Sequence, residues 1–228
     1  MKRFNLEILP YDPRNSVQSY LNFILHKYEI NLILDIGASE GQYVGMLRNI
    51  GYEGKIVSFE PIKEIHDLIV KKSKKDKKWT VYDRLVISEV DGAVEFNISN
   101  DSVSSSVLNP KSNNPFKIKS IRKEKVISKP LENVIKSNNY SNFLLKIDAQ
   151  GLEEEILRSA SDQLKKAKLI QLEASFNEIY ENEKTFFEIY SYLQKEGFDL
   201  IFIYPGAGNS DYEVFQCEMI FKNNELNS

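Results

Sequence analysis

Short apolar runs that end in polar or glycine residues recur along the chain, and stretches of helical periodicity fill the spaces between them. Val17, Tyr20, Leu21, Ile24, Leu25 and Tyr28 fall at helical spacing behind Ser16, which predicts a helix over 16–28 with Ser16 as its N-cap. Strands are predicted at about 31–36, 54–59, 79–87, 142–148, 168–174, 198–204 and 213–221, with helical patterns between most of them, the last spanning about Asn182 to Glu196. Alternation of this kind predicts a largely parallel sheet covered on both faces. The last two strands are joined only by Pro205 to Tyr212, too short for a parallel crossover, so the final strand is predicted to run antiparallel to its neighbour.

Two stretches interrupt the rhythm. Residues 89–98 read as a turn at Asp91-Gly92 followed by an alternating strand, and residues 121–128 as a further extended segment. Between them lies a Ser/Asn-rich loop, Asn97 to Pro115, containing Ser104, Ser105 and Ser106. A loop of that length is either a lid over a site or a flexible insertion. With 228 residues, 42% of them hydrophobic, and no break in composition, the chain is read as one domain over 1–228, with a helical extension over 1–30 and an insert over 97–130.

The strand ending at Asp35 feeds into a turn, DIGASEGQY, and then into a helical pattern. Gly37 and Gly41 allow the backbone to turn tightly and approach a ligand, and the free N–H groups of the next helix favour an anionic group such as a carboxylate. The next strand ends in SFEP, with Glu60 placed 25 positions after Asp35, where an acid accepts hydrogen bonds from ribose hydroxyls. A dinucleotide site needs a third glycine in the turn, and Tyr43 stands where a small residue would be wanted. Asp35 at the strand end would instead attract the amine of an amino-acid moiety, with Glu60 on the ribose of the same ligand, and S-adenosylmethionine has both groups. Taken singly, Asp35 also reads as a helix cap and Glu60 as a solvated strand end.

Net charge is −3 and pI about 5.6, which gives no global signal for nucleic acid or an anionic membrane. The single Cys217 excludes an internal disulfide, and His26 and His66 offer no zinc spacing. Asn5, Glu7, Pro10 and Asp12 break any signal-peptide core after Met1, Lys2 and Arg3, and no apolar run is long enough to span a bilayer, so a soluble cytoplasmic protein is expected.

These pieces in their order, DIGASEGQY, VSFEP, LVISEVDGAVEF, the triple serine, LLKIDAQGLEEEIL and IQLEASF with Tyr180 after it, resemble the FkbM-type methyltransferases over about Leu32 to Phe202. Ser39 stands where that family usually has asparagine. The resemblance implies a Rossmann-like class I methyltransferase fold: three α/β/α layers around a seven-stranded, mostly parallel sheet with an antiparallel last strand. It implies S-adenosylmethionine as cofactor and O-methylation of a hydroxyl on a sugar, glycan or small metabolite. It also implies that the turn from Gly37 through Ala38 and Gly41 to Tyr43 embraces the methionine moiety, that Glu60 with Pro61 meets the ribose, and that the segment around Asp83 meets the adenine. Asp83 also reads as a solvated strand-end acid.

Methyl transfer to a hydroxyl requires in-line positioning and removal of a proton. In FLLKIDAQG the period of two places Lys146 and Asp148 on one side of a strand. Asp148 is the candidate base or acceptor-orienting group, with Lys146 holding its charge or that of the nucleophile; a purely structural ion pair fits the same spacing. Glu173 closes the next strand in a similar place and is a third candidate. Asp148 and Glu173 offer oxygen atoms that suit magnesium, but nothing in their spacing requires a metal. His66 reads as a surface residue.

Three other functions compete. Tyr180 and Lys184 have the YxxxK spacing of short-chain dehydrogenases, without the third glycine or the upstream serine such a NAD-dependent reductase needs. Lys71, Lys72, Lys74, Lys75, Lys77 and Lys78, with further basic residues from Lys117 to Lys129, fit RNA modification or RNA binding, or simply a solvated face. A non-catalytic scaffold of the same fold is the third.

Overall fold

The computed structural model describes residues 12–225. The first eleven positions of the predicted N-terminal extension lie outside the described residues. The strands are β1 (Leu32–Ile36), β2 (Lys55–Phe59), β3 (Trp79–Val81), β4 (Val86–Ile87), β5 (Gly92–Ser99), β6 (Ser120–Lys129), β7 (Phe143–Ile147), β8 (Ala167–Ser175), β9 (Phe198–Pro205) and β10 (Gln216–Asn223). The helices are α1 (Val17–Lys27), α2 (Gln42–Asn49), α3 (Lys63–Ser73), α4 (Leu131–Asn138), α5 (Glu153–Ser159) and α6 (Phe186–Lys195).

Seven strands form the main sheet in the order β3-β2-β1-β7-β8-β10-β9. β10 inserts between β8 and β9 and is antiparallel to both, whereas the pairs from β3 to β8 are parallel. This is the Rossmann-like arrangement with the expected reversed last strand. The central strands read as unbroken apolar runs because both faces are covered. Ile33, Ile56, Leu144 and Leu169 pack with Leu21 and Leu25 of α1 and Val44 and Leu47 of α2. Leu34, Val57, Leu145 and Ile170 face the other way, onto Val134 of α4, Ile156 of α5 and Ile189 of α6.

The Ser16 side chain caps α1 as expected, accepting the Ser19 N–H at 3.1 Å. The last helix starts later than its pattern predicts. Asn182 is left-handed, and Thr185 and Glu188 form a capping box that opens α6 at Phe186. The predicted 79–87 strand is two strands in two sheets. Arg84 donates to the Pro61 carbonyl at 2.7 Å and to Glu124 at 2.7 Å, and the chain leaves the main sheet there. Val86 and Ile87 then pair in parallel with β6, which is antiparallel to β5, forming a separate three-stranded sheet. That sheet is built from the extended segments predicted at 89–98 and 121–128.

The serine loop between β5 and β6 is bonded back onto the fold. Asn97 and Ser106 exchange backbone hydrogen bonds of 2.7 and 3.1 Å, and the Asn97 amide donates to the carbonyls of Val107 and Leu108. Lys111 N–H donates to the Ile179 carbonyl at 2.9 Å, and Glu181 N–H to the Asn109 carbonyl at 2.8 Å. Among the described residues no helix is long and apolar enough to cross a membrane.

Leu145 is fully buried in the middle of β7, between β1 and β8. Leu145→Ala is expected to lower the unfolding free energy by about 2–5 kcal/mol, measured by urea denaturation; a change below about 1 kcal/mol would contradict the packing described.

Candidate functional site

In the main sheet the chain runs outward from β1 to β3 and then returns to β7 on the other side of β1. At this switch in strand order the strand ends splay apart and leave a crevice beyond their carboxyl ends. A cavity of about 470 Å³ opens there, a size usual for small-molecule sites. Gly37, Ala38 and Ser39 after β1, Glu60 and Pro61 after β2, Lys146 in β7 and Asp148 after it all stand on its wall.

The turn after β1 fits only glycine at its tightest point. Gly37 has φ +77°, and a Cβ there would lie 1.8 Å from the Asp148 carbonyl oxygen. Gly37 N–H and Ala38 N–H both donate to the Phe59 carbonyl at 3.1 Å, and Asp148 N–H donates to the Ile36 carbonyl at 3.0 Å. The three loops are therefore joined main chain to main chain. Ser39 follows in a left-handed conformation, and its hydroxyl has no partner. Gly41, at φ +83°, opens α2 and sits against Trp79 rather than on the cavity wall. Glu60 is buried and accepts Ser39 N–H at 2.9 Å and Ile62 N–H at 2.8 Å. Burial pushes its carboxyl up to about 7, against the pull of these two donors.

Asp35 does not reach the cavity. It is fully buried, accepting the Ser58 hydroxyl at 3.0 Å and pairing with the Lys146 ammonium at 3.3 Å. Strand register explains this: Ser58, Asp35, Lys146 and Gln171 are neighbours across β2, β1, β7 and β8, and form one polar row directly above the apolar row of Ile56, Ile33, Leu144 and Leu169. Lys146 stands between Asp35 and the cavity and also donates to the Gly37 carbonyl at 3.1 Å. Tyr43 covers it, with the ammonium 5.4 Å from the ring centre and the hydroxyl donating to Gln171 at 2.5 Å. Burial opposes the charge on Lys146, but Asp35, Asp148 and Glu218 more than offset it, and its pKa lies above the ordinary range.

The Asp148 carboxylate is more open, with 38% of its side chain exposed. It accepts from the Gln150 amide at 2.8 Å and lies 3.7 Å from Lys146. Lys146 and Asp148 do share one side of the chain, as the sequence predicts. Glu173 is near but not on the wall; it accepts from Gln216 at 2.7 Å and faces Glu218 across the β8–β10 register. Asp83 is exposed and away from the wall, and its neighbours Leu85, Val86 and Ile87 line the cavity in its place. This correction follows from the break in the predicted 79–87 strand, which turns the chain at Arg84.

Gln150, Gln171 and Glu218 were not singled out in the sequence, whereas Ser39 and Gln42 fall inside the glycine turn already marked there. A signal existed for two of them, since Gln171 and Glu218 are polar residues inside otherwise apolar strands. Ser102, Val103 and Ser105 of the serine loop also line the cavity. Tyr180 and Lys184 do not form a working pair: Lys184 bonds Glu188 at 3.0 Å, while the Tyr180 hydroxyl is taken up by Ser104 and Gln150.

A family model described as a methyltransferase FkbM domain matches residues 35–200. No curated protein matches the chain. Among solved structures, the methyltransferase domain of bacterial CtHen1-C is 12% identical with a TM-score of 0.51, covering 92% of this chain and 97% of that one. An O-methyltransferase candidate from Klebsiella pneumoniae is 12% identical with a TM-score of 0.51, covering 91% and 79%. TrmK of M. capricolum, in complex with S-adenosyl-homocysteine, is 11% identical with a TM-score of 0.50, covering 89% and 68%. At such identities the likeness is one of fold.

Two outcomes are expected from these electrostatics. Asp35→Asn removes the main counter-charge of a buried ammonium and should cost about 3 kcal/mol of stability, part of which Lys146→Met in the same chain should restore in urea unfolding; a single variant as stable as wild type would contradict the pairing. Burial first, then Asp148, Glu218 and Glu153, push Glu173 up to about 9. Its native state therefore holds the proton more tightly than the unfolded chain, so its contribution is full below the ordinary value of 4.5 and is lost as pH rises towards about 9. Glu173→Gln should flatten the fall in melting temperature across that window, and an unchanged slope would contradict the assignment.

Proposed function

The chain belongs to the FkbM methyltransferase family, and we propose that it is an S-adenosylmethionine-dependent enzyme that methylates a hydroxyl group on a sugar, glycan or small metabolite. The observation that carries this reading is the grouping on one cavity wall of the Gly37 turn, Glu60 and the Lys146–Asp148 pair.

The residues present fit the cofactor. The Gly37–Ser39 turn would hold the methionine portion, since Gly37 allows close backbone approach and the Ser39 hydroxyl is unpartnered. Glu60 would accept from the ribose hydroxyls, and Pro61, Leu85, Val86 and Ile87 supply apolar surface for a purine ring. Tyr43 shapes this wall by covering Lys146. When bound, S-adenosylmethionine supplies an electrophilic methyl on a sulfonium centre.

The chain's own work is to hold a hydroxyl and take its proton. Asp148 is the base in this reading: its carboxylate faces the cavity and is steadied by Gln150 on one oxygen and Lys146 near the other. A positioned base of this kind contributes about 10² to 10⁴ in rate. Asp35 then acts indirectly, by fixing Lys146. Burial favours the neutral forms of Glu173 and Glu218 beyond Asp148, and Lys146, already paired, is the one cation on the wall among the described residues. That inventory supports an acceptor that is uncharged at the reacting group.

The test is a screen of nucleotide sugars, glycans and other hydroxyl compounds with labelled S-adenosylmethionine, together with calorimetric binding. Glu60→Gln is expected to weaken cofactor binding about tenfold, while Asp148→Asn keeps binding and loses at least about 10² in turnover. Binding of NAD with no affinity for S-adenosylmethionine would overturn the reading.

A further inference from the structure

We propose that Gln150 and Tyr180 are positioning residues that orient the Asp148 carboxylate and tie its orientation to the docked serine loop. The proposal rests on Asp148 acting as the base, and it is carried by a continuous set of contacts around Gln150. Gln150 is left-handed at φ 55°, a conformation rare for a residue with a Cβ, and it is fastened at three points. The Ser106 hydroxyl donates to its backbone carbonyl at 2.7 Å, its amide nitrogen donates to Asp148 Oδ1 at 2.8 Å, and its side-chain oxygen lies 3.0 Å from the Tyr180 hydroxyl.

The direction of these bonds follows from donor and acceptor chemistry. An ionised carboxylate only accepts, so the amide nitrogen of Gln150 must face Asp148, and its oxygen is left for Tyr180, which must donate. Tyr180 is well suited to that task. It is 2% exposed, and burial followed by the nearby Glu183 keeps its hydroxyl protonated. The same hydroxyl lies 2.8 Å from the Ser104 carbonyl, so its single proton is shared between the serine loop and Gln150.

Tyr180 itself has little freedom. Ile118, Ile179 and Leu108 pack against it, and Glu183 accepts the N–H groups of Ile179 at 2.5 Å and Tyr180 at 2.9 Å. Its ring sits against Gly151, where a Cβ would be 3.2 Å from the ring edge. The restraint passes from a packed ring to an amide and then to a carboxylate. Without the Tyr180 hydroxyl the Gln150 amide is free to rotate, and Asp148 loses its fixed donor.

The readout is the NMR chemical shift of the Asp148 carboxyl carbon at one fixed neutral pH, which reports the hydrogen bond that carboxylate accepts, in wild type, Tyr180→Phe, Gln150→Asn and the double variant. Asparagine tolerates the left-handed backbone but is too short to keep the bond. Lys146 from β7, Glu153 from α5, Glu173 from β8 and Glu218 from β10 also act on Asp148 and are unaltered in every variant. Gln150→Asn is expected to displace this signal, and Tyr180→Phe to displace it in the same direction by about half as much, as the donor bond is lost outright or only loosened. The double variant should match Gln150→Asn alone, because Tyr180 acts through Gln150. An unmoved signal in Tyr180→Phe, or displacements that simply add in the double variant, overturns the proposal. Full turnover by Asp148→Asn with the signal displaced as expected overturns the base reading instead, so the two failures are distinct.

Discussion

An ammonium group buried to about nine-tenths between parallel strands must find its counter-charge at the same level of the sheet, and Asp35 supplies it to Lys146 from the adjoining strand in direct register. Much else follows from that requirement. Ser58 must donate to the second Asp35 oxygen, Trp79 donates in turn to Ser58 at 3.0 Å, and Tyr43 must lie over the ammonium to close the layer from above. The polar row thus spans the sheet from β3 to β8 while the apolar row beneath it carries the hydrophobic packing. Isolated buried pairs add little to stability, but a row in which each member has a partner penalises a shifted register, since a slip of one residue would set Lys146 beside an aliphatic neighbour.

The cavity inherits its character from this row. Lys146 meets the wall already neutralised, so it fixes the Gly37 carbonyl and steadies Asp148 without presenting a free positive charge. Burial holds protons more tightly on Glu60 and Glu218, which line the cavity, and on Glu173, which pairs with Glu218 in register. Polar side chains and loop serines share the lining with Leu85, Val86, Ile87 and Phe96, so the space offers both hydrogen-bonding groups and apolar surface.

Much of this was legible in the sequence. Apolar runs of strand length gave the main sheet, the short link after Pro205 gave the reversed last strand, and the period of two put Lys146 beside Asp148. What escaped depended on contacts between distant segments. Asp35 read as a ligand for the cofactor because its pairing with Lys146 exists only once β1 and β7 lie in register. Asp83 read as meeting the adenine because the break at Arg84 goes with contacts to Pro61 and Glu124, both distant in the chain. Gln150 drew no reading of its own, because the Tyr180 hydroxyl that reaches it comes from 30 positions away.

The contact between Gly37 and the Asp148 carbonyl has a consequence for how such a protein can diversify. The spacing between the Gly37 turn and the loop that carries Asp148 is set by backbone touching backbone, with no side chain between them. Exchanges at Glu218 and in the serine loop can therefore remodel part of the cavity wall while this spacing is kept. The wall is open to side-chain drift, provided the glycine stays.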